Sequence, residues 1–218
     1  MIRAVFWDFG GVISTSPFEA FNRFESERSL PRDFIRTTNA MNHDNNAWAR
    51  LERGELTLDQ FDRIYADETR ARGFEVRGLD VIYILGGDIR QEMVTALRRC
   101  KGRYLNACLT NNIPLGEGYR PAEAAPPPER LSALREVMGL FDAVIESSKV
   151  GLRKPDPLFY ENACKLLKVL PQEVVFLDDL GINLKPAREM GMTTIKVVDP
   201  LLAIKELEGV LGIPLTHQ

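Results

Sequence analysis

The sequence predicts an α/β fold: a parallel sheet wound on both faces by helices, with a small helical unit inserted after the first strand. Three observations predict it. Short apolar runs alternate with stretches of helical apolar spacing, the pattern of a sheet built from successive βαβ units. Several runs stop at polar or acidic residues followed by a turn, as strands do where ligands collect beyond the carboxyl edge of such a sheet. A long, helically patterned segment interrupts the alternation after the first run, too long for an ordinary connection and too regular for a loop.

The first strand lies in Ala4-Val5-Phe6-Trp7 and ends at Asp8, with Gly10 and Gly11 just beyond. A strand covered on both faces reads as a nearly continuous apolar run, and the paired glycines let backbone approach a ligand or take φ > 0. Residues 17–87 then read as a helical cap. Phe18, Phe21 and Phe24 recur at helical spacing, Trp48 and Leu51 suggest a second helix, and Leu58, Phe61, Ile64 and Tyr65 a third. Thr57 and Gln60 form a capping-box signature before the last of these. The aromatic stripe reads as core packing rather than a cofactor box. Ser14 to Ser16 and Gly86-Gly87 are the expected hinges, which divides the chain into a core of residues 1–16 and 88–218 and a cap of residues 17–87.

The core resumes with Asp88 as the expected cap of a helix carrying Ile89, Met93, Ala96, Leu97 and Cys100, stopped at Gly102. Arg103 to Leu109 is the second strand, ending at Thr110-Asn111-Asn112. Residues 116–129 shift to glycine, alanine and four prolines, which cannot hold a regular element; this loop either borders the site or is plain surface. Leu131 to Met138 reads as a helix and Phe141 to Ile145 as the third strand. Lys154-Pro155-Asp156-Pro157 is a turn opening a helix through Phe159 and Leu167. Val174 to Leu177 is the fourth strand, running into Asp178-Asp179. A helix over Asn183 to Met190, a fifth strand over Thr193 to Val198 and a helix over Leu201 to Leu207 complete the chain.

Composition bounds the function. With 218 residues and 44% hydrophobic content, the chain can bury one substantial core plus a small accessory unit. No apolar run approaches the roughly 18 residues of a membrane span, and no signal-peptide pattern opens the sequence, so a cytoplasmic location with no membrane partner is the expectation. A net charge of −3 argues against a nucleic-acid partner. Cys100, Cys108 and Cys164 lack metal-ligand spacing and read as reduced core residues; His43 and His217 are the only histidines that could activate one. Nothing separates a monomer from a homodimer.

Strand ends or the loops after them carry Asp8, Thr110-Asn111, Lys154 and Asp178-Asp179, and a parallel sheet brings these to one edge. Clustered carboxylates repel unless a cation lies among them, and hard oxygen donors with room for water and phosphate suit Mg²⁺. Lys154 adds a point charge, Thr110 a hydroxyl, and the glycine turn exposed N–H groups. These parts suit phosphoryl transfer to a carboxylate nucleophile.

On these residues the chain resembles the haloacid dehalogenase (HAD) superfamily. Phe141 to Gly151, Lys154-Pro-Asp-Pro and Val175 to Arg188 resemble, nearly throughout, the N-terminal phosphatase domain of soluble epoxide hydrolases, whereas the cap matches by position and helical character only. The resemblance implies a Rossmann-like core, a small phosphorylated substrate and Mg²⁺ as cofactor. It implies Asp8 as nucleophile and Lys154 as the cation between Asp8 and phosphate, with Thr110, Asn111, Gly10 and Gly11 around the phosphate. The metal would be held by Asp8, the carbonyl of Gly10 and the acids Asp178 and Asp179, Asp179 more directly, with Asn183 in support.

One position departs from the family pattern. Phosphatases of this superfamily carry a second Asp two residues after the nucleophile, as general acid and then base, and here that residue is Gly10. Such a group is typically worth about 10²–10⁴-fold. Either hydrolysis is poor, or substrates need no proton on the leaving group, or a cap residue such as His43 or Asp44 substitutes. Three readings follow: a phosphatase or phosphotransferase, a haloacid dehalogenase attacking carbon without metal, and a non-catalytic phospholigand-binding protein. Asp178-Asp179 speaks against the second, and Gly10 supports the third. The sequence does not identify the physiological substrate.

Overall fold

A computed structural model describes residues 1–114 and 127–216. Its sheet has five parallel strands, β1 (Ala4–Trp7), β2 (Leu105–Thr110), β3 (Ala143–Glu146), β4 (Val174–Asp178) and β5 (Thr193–Lys196), in the order β3-β2-β1-β4-β5. β1 is central, with Ala4 beside Leu105 on one side and Val174 on the other. The strand order reverses there, and this switch point opens the crevice at the carboxyl ends of β1 and β4.

Alternate side chains of β1 serve two cores. Val5 and Trp7 face a layer that includes Met93, Leu97 and Leu207, while Ala4 and Phe6 face one that includes Phe159, Tyr160 and Leu184. The period of two along a buried strand thus explains its unbroken apolar run. The first layer is supplied by α6 (Gln91–Cys100), α7 (Pro128–Met138) and α11 (Pro200–Leu211), the second by α9 (Pro157–Leu167) and α10 (Gly181–Glu189). A four-residue turn of helix, α8 (Ser147–Val150), follows β3. All three cysteines are buried and unbridged.

Between β1 and α6 lie α1 (Pro17–Glu27), α2 (Phe34–Ala40), α3 (Ala47–Glu52), α4 (Leu58–Arg70) and α5 (Gly78–Tyr83). They gather a third apolar cluster around Phe21, Leu51, Phe61 and Tyr65. The capping box of α4 is present: the Gln60 N–H donates to Thr57 Oγ1 at 3.2 Å and the Thr57 N–H to Gln60 Oε1 at 2.9 Å.

Several boundaries differ from the sequence expectation. α6 begins at Gln91, and Asp88 does not cap it. The backbone of Asp88 instead pairs with Thr15, accepting from its N–H at 2.9 Å and donating to its Oγ1 at 3.0 Å, so the two linkers into the inserted helices satisfy each other. β2 starts at Leu105 because Arg103 and Tyr104 turn back to bond the Cys100 carbonyl. α10 starts at Gly181 rather than Asn183. Residues 115–126 of the proline-rich stretch lie outside the described residues, but Pro128 and Glu129 open α7, where a first-turn proline costs no hydrogen bond. α2 and α5 were not expected. The first is held by Glu25, whose carboxylate accepts from the N–H groups of Asp33 and Ile35 at 2.8 Å each.

The insertion is fastened to the core beside the crevice. Arg153 Nε donates to Glu52 Oε2 at 2.6 Å, Trp48 Nε1 donates to Glu52 Oε1 at 2.8 Å, and an Arg153 terminal nitrogen donates to the His43 carbonyl at 2.9 Å. Gly54 (φ +72°) lies so close that a Cβ there would come 2.7 Å from the Ser148 carbonyl. Glu52 is only 8% and Arg153 16% exposed. Removing one member of a buried pair costs about 3–5 kcal/mol, and the residual exposure of Arg153 favours the lower end. Arg153→Ala is therefore expected to lower unfolding stability by about 3 kcal/mol, read as a drop in urea midpoint at constant slope; a midpoint unchanged from wild type would show the clamp to be idle.

Candidate active site

The end of β1 places Asp8 in the crevice. Its N–H donates to the Leu177 carbonyl of β4 at 2.9 Å, and its Oδ1 accepts from the Phe9 N–H at 2.7 Å. Lys154, 1% exposed, reaches in from the turn before α9 and sets its Nζ 2.7 Å from Asp8 Oδ1 and 2.7 Å from Asp178 Oδ2. The ammonium also stands 5.6 Å from the centre of the Phe176 ring. Its backbone is fixed by Asn111, whose Nδ2 donates to the Lys154 carbonyl at 2.9 Å while its Oδ1 accepts the Lys154 N–H at 2.8 Å. Asn111 thereby ties the end of β2 to the lysine turn. Asn112 ties the same end to α8, its N–H donating to Ser147 Oγ at 2.9 Å.

The adjacent acids at the end of β4 differ sharply. Asp178 is fully buried: its Oδ1 accepts from the Leu180 N–H at 2.8 Å, and Asn183 Nδ2 lies 3.0 Å from both of its oxygens. Asn183 is itself steadied by Tyr160, whose hydroxyl donates to the Asn183 carbonyl at 2.7 Å. Asp179 faces the crevice. It lies against the glycine turn so closely that a Cβ on Gly11 would come 2.2 Å from its Oδ2, and Gly11 also takes φ +86°. Gly11 therefore needs to be glycine on two counts. Gly10 has no positive φ, and a Cβ there would meet only Pro17 Cδ, at 3.8 Å.

Asp8, Asp178 and Asp179 bring one carboxylate oxygen each within 4.8 Å of one another. Burial pushes the Asp8 carboxyl up to about 8; Lys154 opposes the rise, and Asp178 and Asp179 add to it. Burial and then Asp178 push Asp179 up to about 6, against Lys154 and Arg90. Burial works against the Lys154 ammonium, but Asp178 and Asp8 outweigh it and hold it protonated beyond the ordinary lysine range. Three carboxylates thus face one ammonium, and the excess negative charge adds to the burial that raises Asp8 and Asp179. Hard oxygen donors with uncompensated charge fit a divalent cation such as Mg²⁺.

Above these groups opens a cleft of about 390 Å³, at the small end of the range for small-molecule sites. Asp8, Gly10, Thr110, Lys154 and Asp179 line its core side. The inserted helices supply Phe18, Phe21 and Trp48 together with Arg36 and Asn39, and the turn between α2 and α3 supplies His43. Of the two inserted residues that could substitute for the absent acid, His43 lines the cleft, whereas Asp44 does not and is 76% exposed. Sequence reasoning missed Glu52, Arg153, Arg36 and Asn39. Arg153 stands next to Lys154, but no local pattern marks any of the four as facing a cleft.

Comparison with known proteins agrees with this architecture. A family model described as haloacid dehalogenase-like hydrolase matches residues 2–191. The chain is 32% identical to mouse bifunctional epoxide hydrolase 2 over 97% of its own length and 39% of that protein's, so it spans well under half of that relative. It is 26% identical to a sesquiterpene phosphatase of Aspergillus oryzae, covering 96% of this chain and 97% of that one. Among solved structures, a HAD-family enzyme of Bacteroides thetaiotaomicron in complex with magnesium and inorganic phosphate superposes with a TM-score of 0.59 at 19% identity, over 90% of this chain and 94% of that one. An L-2-haloacid dehalogenase of Xanthobacter autotrophicus with covalently bound chloropropionic acid gives a TM-score of 0.58 at 19% identity, over 100% and 85%. Both likenesses are of fold. With the family model spanning most of the sequence, the chain belongs to the haloacid dehalogenase-like hydrolases.

Proposed function

We propose that this hydrolase is a Mg²⁺-dependent phosphatase or phosphotransferase acting on a small phosphomonoester through an aspartyl-phosphate at Asp8. The observation that carries the reading is Lys154, held 2.7 Å from both Asp8 and Asp178 beside a third carboxylate. The sesquiterpene phosphatase among its relatives supports the phosphatase class. Asp8, the Gly10 carbonyl and Asp179 would hold the ion. Asp178, with its oxygens taken by Lys154, Leu180 and Asn183, acts through the lysine. Bound Mg²⁺ would supply positive charge against the non-bridging phosphoryl oxygens.

In the reaction, an ionised Asp8 oxygen forms a bond to phosphorus as the ester oxygen leaves with its electron pair, and water later cleaves the aspartyl-phosphate. Lys154 favours the ionised form of Asp8 against its burial and offers its charge to the developing equatorial oxygens. Thr110 and Gly10 line the cleft and, with the N–H groups of the glycine turn, would border the phosphate, while Asn111 fixes the lysine turn. Residues 17–87 act as the cap that closes the cleft and selects the substrate. No helix among the described residues is long and apolar enough to cross a membrane.

Two arms test the reading together. Without metal, a carboxyl raised on folding contributes stability that is full below its unfolded value of 3.8 and is lost as pH rises towards about 8 for Asp8 and about 6 for Asp179. Mg²⁺ requires the ionised forms, so its affinity and its upward shift of the melting temperature should grow from pH 5 to pH 8. Calorimetric titration of Asp179→Ala should show Mg²⁺ binding largely lost. Unchanged affinity in that variant would remove the metal assignment, and halogenated acids turned over without metal would put the dehalogenase reading first.

A further inference from the structure

Among the described residues three cations, Arg36, Arg153 and Lys154, line the cleft, and two of them are spent. Lys154 is taken by Asp8 and Asp178, and Arg153 by Glu52. Arg36, on the inserted wall, has no acidic partner among the described residues; its guanidinium carbon stands 4.5 Å from the centre of the Phe18 ring. Stacking of this kind leaves the N–H edge of the guanidinium plane open to an anion. Asn39 lies three residues further along α2, on the same face, and also lines the cleft. Its side-chain Oδ1 is buried without a hydrogen-bond partner among the described residues. Turning the amide over would put the nitrogen there instead, so either orientation strands a polar atom, an unfavourable state until something satisfies it.

We propose that Arg36 and Asn39 form a second subsite for the end of the substrate remote from the transferred phosphoryl group. Resting on the phosphomonoester reading above, the subsite takes a second anion, carboxylate or phosphate, on Arg36 and an adjacent hydroxyl on Asn39. A guanidinium pairs bidentately with either anion. A hydroxyl both donates and accepts, and so satisfies Asn39 in either amide orientation. Phe18 and Trp48 offer apolar surface to the carbon skeleton between. The substrates selected are therefore small hydroxylated phosphomonoesters that carry a further acid group.

Matched ligands test this: glycerol 3-phosphate, 3-phosphoglycerate, glycerol 1,3-bisphosphate and 3-phosphopropionate, which lacks the hydroxyl. Each is titrated with Mg²⁺ present, once as a competitor of aryl-phosphate hydrolysis and once through the fluorescence of Trp48, which lines the cleft while Trp7 is fully buried in the core. Wild type should bind the ligands with a second acid group about 10-fold more tightly than glycerol 3-phosphate, the scale of a charge-assisted hydrogen bond. Which of the two leads distinguishes carboxylate from phosphate. In Arg36→Ala that ratio should fall to near one, with Arg36→Lys retaining part of it, and Asn39→Leu should erase the preference for 3-phosphoglycerate over 3-phosphopropionate. Equal binding by wild type of glycerol 3-phosphate and the ligands with a second acid group, or a ratio that survives Arg36→Ala, overturns the subsite. An Arg36-dependent ratio in fluorescence from a protein that hydrolyses no phosphate would uphold the subsite and refute the phosphatase reading.

Discussion

Lys154→Met is expected to destabilise the protein by about 3–5 kcal/mol and to reduce aryl-phosphate turnover by at least about 10²–10³-fold. Both effects have one origin. The ammonium is 1% exposed and is shared by Asp8 and the fully buried Asp178, so its removal strands Asp178 in the closed interior and leaves Asp8 uncompensated at the floor of the cleft. Methionine keeps the length of the stem and supplies no charge, which isolates the electrostatic part from packing. Asp8 then protonates more readily and loses the ionised oxygen that attack on phosphorus requires. A double variant separates stability from chemistry: Asp8→Asn with Lys154→Met removes a charge from each side, so it should recover part of the lost stability while remaining inactive. Additive losses in that cycle would mean that Asp8 and Lys154 do not interact, contrary to their 2.7 Å separation.

Where the sequence was legible, burial on both faces made it so. Ala4 to Trp7 and Val174 to Leu177 are apolar throughout because each strand is sandwiched, and the first polar residue after each therefore marks its exit into the crevice. Asp8 and Asp178-Asp179 are found by that rule alone. The partners that give them character are not. Asn111 meets Lys154 across 43 positions and Arg153 meets Glu52 across 101, and such pairs leave no local periodicity. The same holds for α2, whose start is secured by Glu25 eight to ten residues earlier instead of by an adjacent cap. Sequence also presents Gly10 and Gly11 as equals. Only backbone geometry separates the one that takes φ +86° under Asp179 from the one that does not.

That distinction decides what Gly10→Asp should do: it is expected to raise hydrolysis of alkyl phosphates by up to about 10²–10⁴-fold, the worth of a positioned acid and base. On the proposed mechanism, nothing at position 10 of the wild type protonates a leaving alkoxide or activates water against the aspartyl-phosphate. Aryl and acyl phosphates, whose leaving groups depart unaided, should react detectably, and sugar or glycerol phosphates very slowly. The side chain has room, since the nearest heavy atom to a Cβ at Gly10 is Pro17 Cδ at 3.8 Å and the backbone carries no positive φ. Gly11→Ala provides the contrast. Its Cβ would collide with Asp179 in a left-handed backbone, so that variant should lose stability and Mg²⁺ affinity together. The dependence of rate on leaving-group pKa is the decisive measurement, steep in wild type and flattened in Gly10→Asp. Alkyl phosphates turned over by wild type as fast as aryl ones would locate the proton donor elsewhere in the cleft, with His43 the first to replace because it is the titratable cap residue there without a buried ion pair. If wild type turns over no phosphate at all and a stably folded Gly10→Asp gains nothing, the chain keeps a phosphate cradle without the reaction, and binding becomes its function.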